Sequence, residues 1–235
     1  MNLDADTRGI FRHPLKPYGK SVLGTDLLYV PCKNKCKTLV VAGIHGEEPE
    51  STFLLSRSLR LLDEPVPDMA FVLCANPDGM ILGTRGNYNG IDLNRNFPSS
   101  QMPESCTFSR SILEAPRDTA LHTFAGSRSE PEVNAMLNLI ESLKPESLLS
   151  IHAPIGCVDA PRRTSLVDGL CSVFNLPWVP DIGYPTPGSL GTWCKEHVGN
   201  GGPDQCVTLE LPRMSLEALF DRFGIPFAEF LASCP

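Results

Sequence analysis

The stretch GIHGEEPES, residues 43–51, places one histidine and three glutamates directly after the apolar run TLVVA. Two later apolar runs also end in polar groups: SLLSIH ends at His152, and CVTLEL contains Glu210. Such groups matter because ligands of open α/β sheets bind beyond the carboxyl ends of the strands. Imidazole and carboxylate groups are also the ligands that catalytic zinc commonly takes. The three segments therefore predict a metal site at one edge of a sheet.

The spacing of these residues suggests a division of roles. His45 and Glu48 are three residues apart on a predicted strand-to-helix turn, so both side chains can reach one ion. His152, at the end of another predicted strand, completes a His₂Glu set that leaves one zinc position for water. Glu210 is then predicted to accept a proton from that water as the general base. Taken singly, each of these residues has a simpler explanation. Glutamates are favoured in the first turn of a helix, and a core histidine can form a hydrogen bond to a backbone carbonyl.

Other possible metal patterns are incomplete. His45-Gly46-Glu47 matches the first half of the zinc deaminase signature, but no Pro-Cys-x-x-Cys follows it. Cys32 and Cys36 form a pair, but no second Cys or His pair follows nearby. The nine cysteines are scattered, several of them in apolar segments, so we expect free thiols in a reducing compartment. The remaining histidines are predicted on the surface: His13, His122 and His197.

Strands and helices alternate along the chain. Buried strands are predicted at 38–43, 70–76, 147–152 and 206–211. Helices are predicted from Pro49, from a capping box formed by Ser129 and Glu132, and near the end of the sequence, with an interruption at Gly224 and Pro226. This order predicts α/β architecture: a single domain, residues 1–235, with a twisted mixed, largely parallel sheet flanked by helices on both faces.

Composition excludes several classes of protein. The net charge of −7 comes without a basic stretch that could follow a phosphate backbone, so no nucleic-acid partner is expected. No run of about 18 apolar residues occurs and the first residues are polar, so neither a membrane span nor a signal peptide is expected. These features predict a cytoplasmic protein. A homodimer is possible only because symmetric dimers are common.

The loop NPDGMILGTRGNYNGIDLNRNFP, residues 76–98, adds a family resemblance. Together with GIHGEE, SIH and TLELP it resembles the zinc carboxypeptidase family, with every segment in the same order. The resemblance implies a zinc-carboxypeptidase-like fold and one zinc ion per chain. It also implies the following roles: His45, Glu48 and His152 as metal ligands, Arg85 polarising the scissile carbonyl, Asn94 and Arg95 binding a terminal carboxylate, Asp92 supporting His45, and Glu210 as general base.

Flanking segments are similar to one bacterial branch of that family, the murein peptide amidases. They include LGTDLLYVP, VLCANPDG and GYPTPGSLGTWC, and the similarity runs from about Tyr18 to the closing helix. It implies cytoplasmic hydrolysis of the γ-D-glutamyl–meso-diaminopimelate bond of murein tripeptide, during recycling of cell-wall peptides. Arg162, or else Arg163, is predicted to meet the free α-carboxylate that a γ-linkage leaves. A solvated surface position is the alternative for both arginines.

The chain also departs from the digestive carboxypeptidases. It is much shorter, and Ala153 follows the histidine where those enzymes carry a tyrosine. Tyr184 is the nearest candidate for their second active-site tyrosine, with aromatic packing as the alternative. Two other functions remain open: a deacylase of the aspartoacylase or succinylglutamate desuccinylase type, and a non-catalytic muropeptide-binding module. The second is disfavoured because Glu210 has no use in binding alone.

Overall fold

The computed structural model describes residues 10–101 and 130–233, and the backbone of residues 106–111 and 117–122. The strands are β1 (Lys16–Lys20), β2 (Asp26–Val30), β3 (Thr38–Val41), β4 (Met69–Val72), β5 (Cys106–Ser111), β6 (Arg117–His122), β7 (Ser147–His152), β8 (Ile155–Asp159), β9 (Trp178–Val179) and β10 (Gln205–Pro212). The α-helices are α1 (Pro49–Arg60), α2 (Pro77–Leu82), α3 (Pro131–Leu143), α4 (Ser165–Phe174), α5 (Leu190–His197) and α6 (Leu216–Ser233).

Eight of the strands form one mixed sheet in the order β1-β2-β4-β3-β7-β10-β8-β9, and β5 pairs with β6 separately. The central strands β4, β3, β7 and β10 are mutually parallel. Antiparallel pairs occur toward the edges, between β1 and β2, β2 and β4, and β10 and β8. The predicted mixed, largely parallel sheet is confirmed, and its parallel centre brings the carboxyl ends of β3 and β7 to the same edge.

Helices cover both faces of this sheet. Alternate residues of a strand face opposite sides, so neighbours such as Leu39 and Val40 enter different cores. Val40 and Leu149 lie in the cluster that contains buried residues of α1, α4 and α6. Leu39 and Leu148 lie in the cluster that contains buried residues of α3 and α5. Among the described residues, no helix is long and apolar enough to cross a membrane.

Two details of the helices were predicted wrongly. The closing helix α6 continues through Gly224 and Pro226 without an interruption. A proline inside a helix removes a hydrogen bond, but Phe223, Phe227 and Leu231 are buried on this helix and their packing holds it together.

The other wrong detail is the start of α3. This helix has Glu130 as its N-cap residue, without a side-chain cap, and Ser129 lies outside the described residues. The N-cap therefore lies one residue later than the predicted cap at Ser129. The Glu132 carboxylate accepts hydrogen bonds from the Val22 amide and the Asn87 side chain, which are tertiary partners.

The predicted surface position of His13 is also wrong. Its side chain is buried, and its Nε2 donates to the carbonyl oxygen of Leu59 at 2.7 Å. His197 is partly buried and stacks on Trp193, whereas the side chain of His122 lies outside the described part of the chain.

The described cysteines are free thiols, as predicted: Cys32, Cys36, Cys74, Cys157, Cys171, Cys194 and Cys206.

Candidate metal centre

His45 and Glu48 lie in the turn between β3 and α1. The turn needs glycine at two places: Gly43 has a positive φ of 65°, and Gly46 packs directly on the backbone of α2. A Cβ atom at Gly46 would lie 2.0 Å from the carbonyl carbon of Gly79, so no side chain fits there. The close contact fixes the turn and with it the directions of His45 and Glu48.

His152 completes a compact group of three buried side chains. Glu48 Oε1 lies 2.7 Å from His45 Nδ1, and Glu48 Oε2 lies 3.0 Å from His152 Nδ1. The two Nδ1 atoms are 3.2 Å apart. The structure thus brings the three predicted metal ligands together, with one ligand atom from each residue within 4.8 Å of the others.

The outer nitrogens of both imidazoles have partners of their own. His45 Nε2 lies 3.3 Å from Asp92 Oδ1, and His152 Nε2 lies 2.9 Å from Ser150 Oγ. A partner on the outer nitrogen fixes which nitrogen carries the proton and leaves the inner one to bind a metal. Ser150 was not predicted from the sequence, although its place two residues before His152 on β7 puts both on one face of the sheet.

This donor set fits zinc. Two imidazole nitrogens and one carboxylate converge from buried positions, which is the His₂Glu combination of catalytic zinc sites. Lone pairs and a negative charge that face one point are stabilised by a cation at that point. His45, Glu48 and His152 are therefore the residues that would hold the ion.

Asp92 links His45 to Arg85. Its Oδ2 accepts a hydrogen bond from Arg85 Nε at 3.0 Å, and its Oδ1 accepts one from the amide of Asn94 at 2.9 Å. Burial by itself would raise the pKa of Asp92, but Arg85 and His45 hold that pKa well below its usual range. Asp92 therefore accepts hydrogen bonds as a carboxylate and can orient both the His45 imidazole and the Arg85 guanidinium.

Arg85 borders the metal ligands. Its Nη1 lies 3.3 Å from Glu48 Oε1 and 3.2 Å from Glu47 Oε1, so the guanidinium lies beside the predicted metal position. The geometry suits a donor to an oxygen atom that develops negative charge next to a metal.

Glu210 lies on β10, directly beside His152 in the parallel register with β7. The residue is only 7% exposed, and its Oε2 has no hydrogen-bond partner among the described residues. Burial raises the pKa of Glu210; the charge of His152 opposes the increase and that of Glu48 adds to it. A buried carboxylate with an unused oxygen is suited to exchange protons with a bound molecule.

Asn94 and Arg95 occupy the short 3₁₀ helix Leu93–Arg95. Asn94 Oδ1 accepts from the Leu190 amide at 2.9 Å and so ties this turn to the start of α5. Arg95 Nη1 donates to the carbonyl oxygen of Asn94, and Arg95 has no carboxylate partner in the described part of the chain. Burial lowers its pKa. A half-buried guanidinium without a counter-ion is available to an anionic ligand.

One cavity of about 1220 Å³ is lined by the three metal-ligand candidates, by Ser150, Asp92, Arg85, Asn94 and Arg95, and by Glu210, Tyr184 and Arg162. Arg162 Nη2 donates to the carbonyl oxygen of Asp204 at 2.7 Å. Arg163 is not a lining residue, because it forms an ion pair with Asp168 and its guanidinium lies over Trp178. Of the two arginines, only Arg162 lines the cavity, and it is exposed, which also fits the alternative of a solvated surface position. Tyr184 is 50% exposed and is therefore not a core aromatic residue.

Comparisons with known proteins agree with this geometry. A protein-family model described as zinc carboxypeptidase matches residues 14–155, a segment that contains all three metal-ligand candidates. Murein peptide amidase A from Escherichia coli K12 is 37% identical over 227 residues, covering 95% of this chain and 92% of the relative. The corresponding protein from Vibrio campbellii is 40% identical over 221 residues, covering 93% and 87%.

A solved structure extends the similarity to three dimensions. The crystal structure of murein-tripeptide amidase from Escherichia coli O157 superimposes with a TM-score of 0.89 at 37% identity, covering 97% of this chain and 96% of that one. The three buried ligands, the fold that positions them and the match over more than half of the sequence lead to the same assignment: the chain belongs to the zinc carboxypeptidase family.

Proposed function

We propose that this protein is a zinc-dependent amidase that hydrolyses the γ-D-glutamyl–meso-diaminopimelate bond of murein tripeptide, L-Ala-γ-D-Glu-meso-diaminopimelate. Its relatives named murein peptide amidase A extend over nearly the whole chain, and a murein-tripeptide amidase shares its fold. The observation that carries the proposal is Glu210, a buried carboxylate with an unused oxygen beside the metal ligands.

The residues of the cavity would divide the reaction among them. Zinc, when bound, is a Lewis acid that polarises a carbonyl group and lowers the pKa of a water molecule. Glu210 accepts a proton from the attacking water and delivers it to the amine of diaminopimelate as that amine leaves. Arg85 donates hydrogen bonds to the oxygen of the cleaved amide as negative charge develops there. His45, Glu48 and His152 hold the ion, and Asp92 orients His45 and Arg85.

Substrate binding requires positive groups, because murein tripeptide carries several carboxylates whereas the protein has a net charge of −7. Arg95, with Asn94, binds the terminal carboxylate of diaminopimelate, and its planar guanidinium can donate two parallel hydrogen bonds. Arg162 binds the free α-carboxylate of D-glutamate. Its position on the cavity wall supports this role.

We infer that the enzyme works in the cytoplasm, on cell-wall peptides that are being recycled. The free thiols of the described cysteines support a reducing compartment. The homodimer stays a prediction that sedimentation of the purified protein would test.

The direct test is mass spectrometry of murein tripeptide after incubation with the zinc-loaded protein. We expect release of meso-diaminopimelate and the dipeptide L-Ala-D-Glu, with acetyl-aspartate left intact in a parallel reaction. Cleavage of acetyl-aspartate instead would favour a deacylase. Binding of the tripeptide without any cleavage would favour a muropeptide-binding module.

The role of Arg95 predicts a strong preference for a free carboxylate on the diaminopimelate. Amidating that group, or extending it with D-Ala-D-Ala, leaves the half-buried guanidinium of Arg95 without its anion. Because hydrogen bonds to charged groups contribute about 1.5–3 kcal/mol, we expect kcat/KM to fall roughly tenfold to over a hundredfold. Removing the L-alanine at the other end should cost much less. Equal rates on the tripeptide, its amide and the pentapeptide would mean that Arg95 does not hold that carboxylate.

A further inference from the structure

Two rows of side chains on three adjacent strands form part of the cavity wall, and every member except Cys157 lines the cavity. The first row is His152, Glu210 and Cys157, which are neighbours in the registers of β7, β10 and β8. The second row is Ser150, Thr208 and Asp159, which are neighbours in the same registers. Residues two apart on a strand face the same side, so the second row lies on the face of the sheet that carries Glu210 and His152.

Asp159, in the second row, has a carboxylate without a partner. No hydrogen bond or ion pair joins its side chain to any other residue that the structure describes, although it is only partly exposed and lines the cavity. Burial raises its pKa, and the nearby charge of Asp181 adds to the increase. A carboxylate that is partly removed from water is disfavoured unless a cation or donor replaces the lost hydration. A bound molecule that carries a cation or a hydrogen-bond donor can supply that partner.

The position of Asp159 indicates which part of a substrate it faces. Glu210, Arg95, Tyr184 and Asp159 all line the same cavity, which is the compartment that receives a bound substrate. A residue whose carboxylate is held by Arg95 and whose amide nitrogen is next to Glu210 has its side chain in that compartment. The row that contains Asp159 is two residues along the strands from the row that contains Glu210, which is a distance of roughly 7 Å. A four-carbon side chain with a terminal amine has about the same reach.

We propose that Asp159 determines specificity by binding the ammonium group at the far end of the side chain of the leaving amino acid. This inference rests on the proposed function, since diaminopimelate carries both an ammonium group and a carboxylate at that end. It assigns the ammonium group to Asp159 and makes the enzyme select a leaving residue with a positively charged side-chain group.

Three tripeptides that differ only in the last residue test this assignment. The first ends in meso-diaminopimelate. The second ends in L-lysine, which keeps only the distal ammonium group, and the third ends in L-2-aminopimelate, which keeps only the distal carboxylate. For Asp159→Asn we expect kcat/KM to fall roughly 10- to 100-fold on the first two substrates, because a charged hydrogen bond is lost. On the aminopimelate peptide, which has no ammonium group to lose, the same variant should stay within about threefold of wild type.

The matched control is Asp168→Asn, which makes the same change of charge at an exposed residue that pairs with Arg163 outside the cavity. It should leave all three rates unchanged. Zinc content and melting temperature are measured for every variant, and Asp159→Ser serves as a second variant at the site. If Asp159→Asn lowers all three rates equally, or none of them, the inference is overturned. A wild-type protein that cleaves none of the peptides would overturn the proposed function, and this inference with it.

Discussion

His152→Ala is expected to lose zinc and activity together. The imidazole supplies one of only three protein ligand atoms in the group, and the other two cannot complete a tetrahedral site. Loss of a residue that merely supports a zinc ligand already costs about 10–100-fold in metal affinity or activity. Loss of the ligand itself should therefore lower both by more than about 100-fold. Elemental analysis after dialysis measures the zinc, and hydrolysis of murein tripeptide measures the activity.

His197→Ala is the matched control for this experiment. His197 stacks on Trp193 at the end of α5 and does not line the cavity, so its loss also removes an imidazole but no candidate ligand. It should keep about one zinc per chain. A His152→Ala protein that retained its zinc and turned over at the wild-type rate would remove the site described above.

The sequence was sufficient to pick out the three metal-ligand candidates that the structure brings together, because two simple patterns coincide. Apolar runs without polar interruptions indicate strands that are buried on both faces, and parallel strands bring their carboxyl ends to one edge. His45 and His152 each follow or end such a run. The family resemblance then supplied Arg85, Asn94 and Arg95, which lie on a loop and a 3₁₀ turn where no periodicity marks them.

Asp159 could not be predicted because its strand was not predicted. The five residues of β8, IGCVD, include a glycine with a positive φ, and the strand is too short for an alternating pattern to stand out. It is held in the sheet by pairing with β10, more than 45 positions later in the sequence. Likewise, the hydrogen bond between Asp92 and Arg85 was not predicted, because it depends on how the loop after α2 folds back on itself. Such contacts are set by tertiary structure rather than by local sequence.

Competition between local sequence signals and tertiary contacts explains the two wrong predictions about helices. Local signals placed a break at Pro226 and a capping box at Ser129, and each signal is valid for an isolated segment. In the folded chain, Phe223 and Phe227 are buried against the core, and Glu132 finds its partners on the β1–β2 turn and the loop after α2. Burial and long-range hydrogen bonds therefore decided both outcomes.

Glu210→Gln should keep its zinc and bind substrate with near wild-type affinity, yet lose most of its turnover. Glutamine has almost the same size and shape, so β10 and the neighbouring His152 should remain in place. Its amide cannot accept the proton of the attacking water or deliver it to the leaving amine. General acid–base catalysis typically contributes about 10²–10⁴-fold, and we expect kcat to fall within that range.

Separate measurements of kcat, KM and zinc content distinguish this role from a structural one. Glu210 is buried, and its Oε2 lacks a partner among the described residues. Because a buried charge is costly, replacing the carboxylate by a neutral amide should maintain or raise the melting temperature. Thr208→Val, two residues earlier on the same face of β10, is a control that changes the cavity wall without removing a carboxylate. It should retain far more turnover than Glu210→Gln. If Glu210→Gln cleaves murein tripeptide within a few-fold of wild type while holding its zinc, the general base is a different residue.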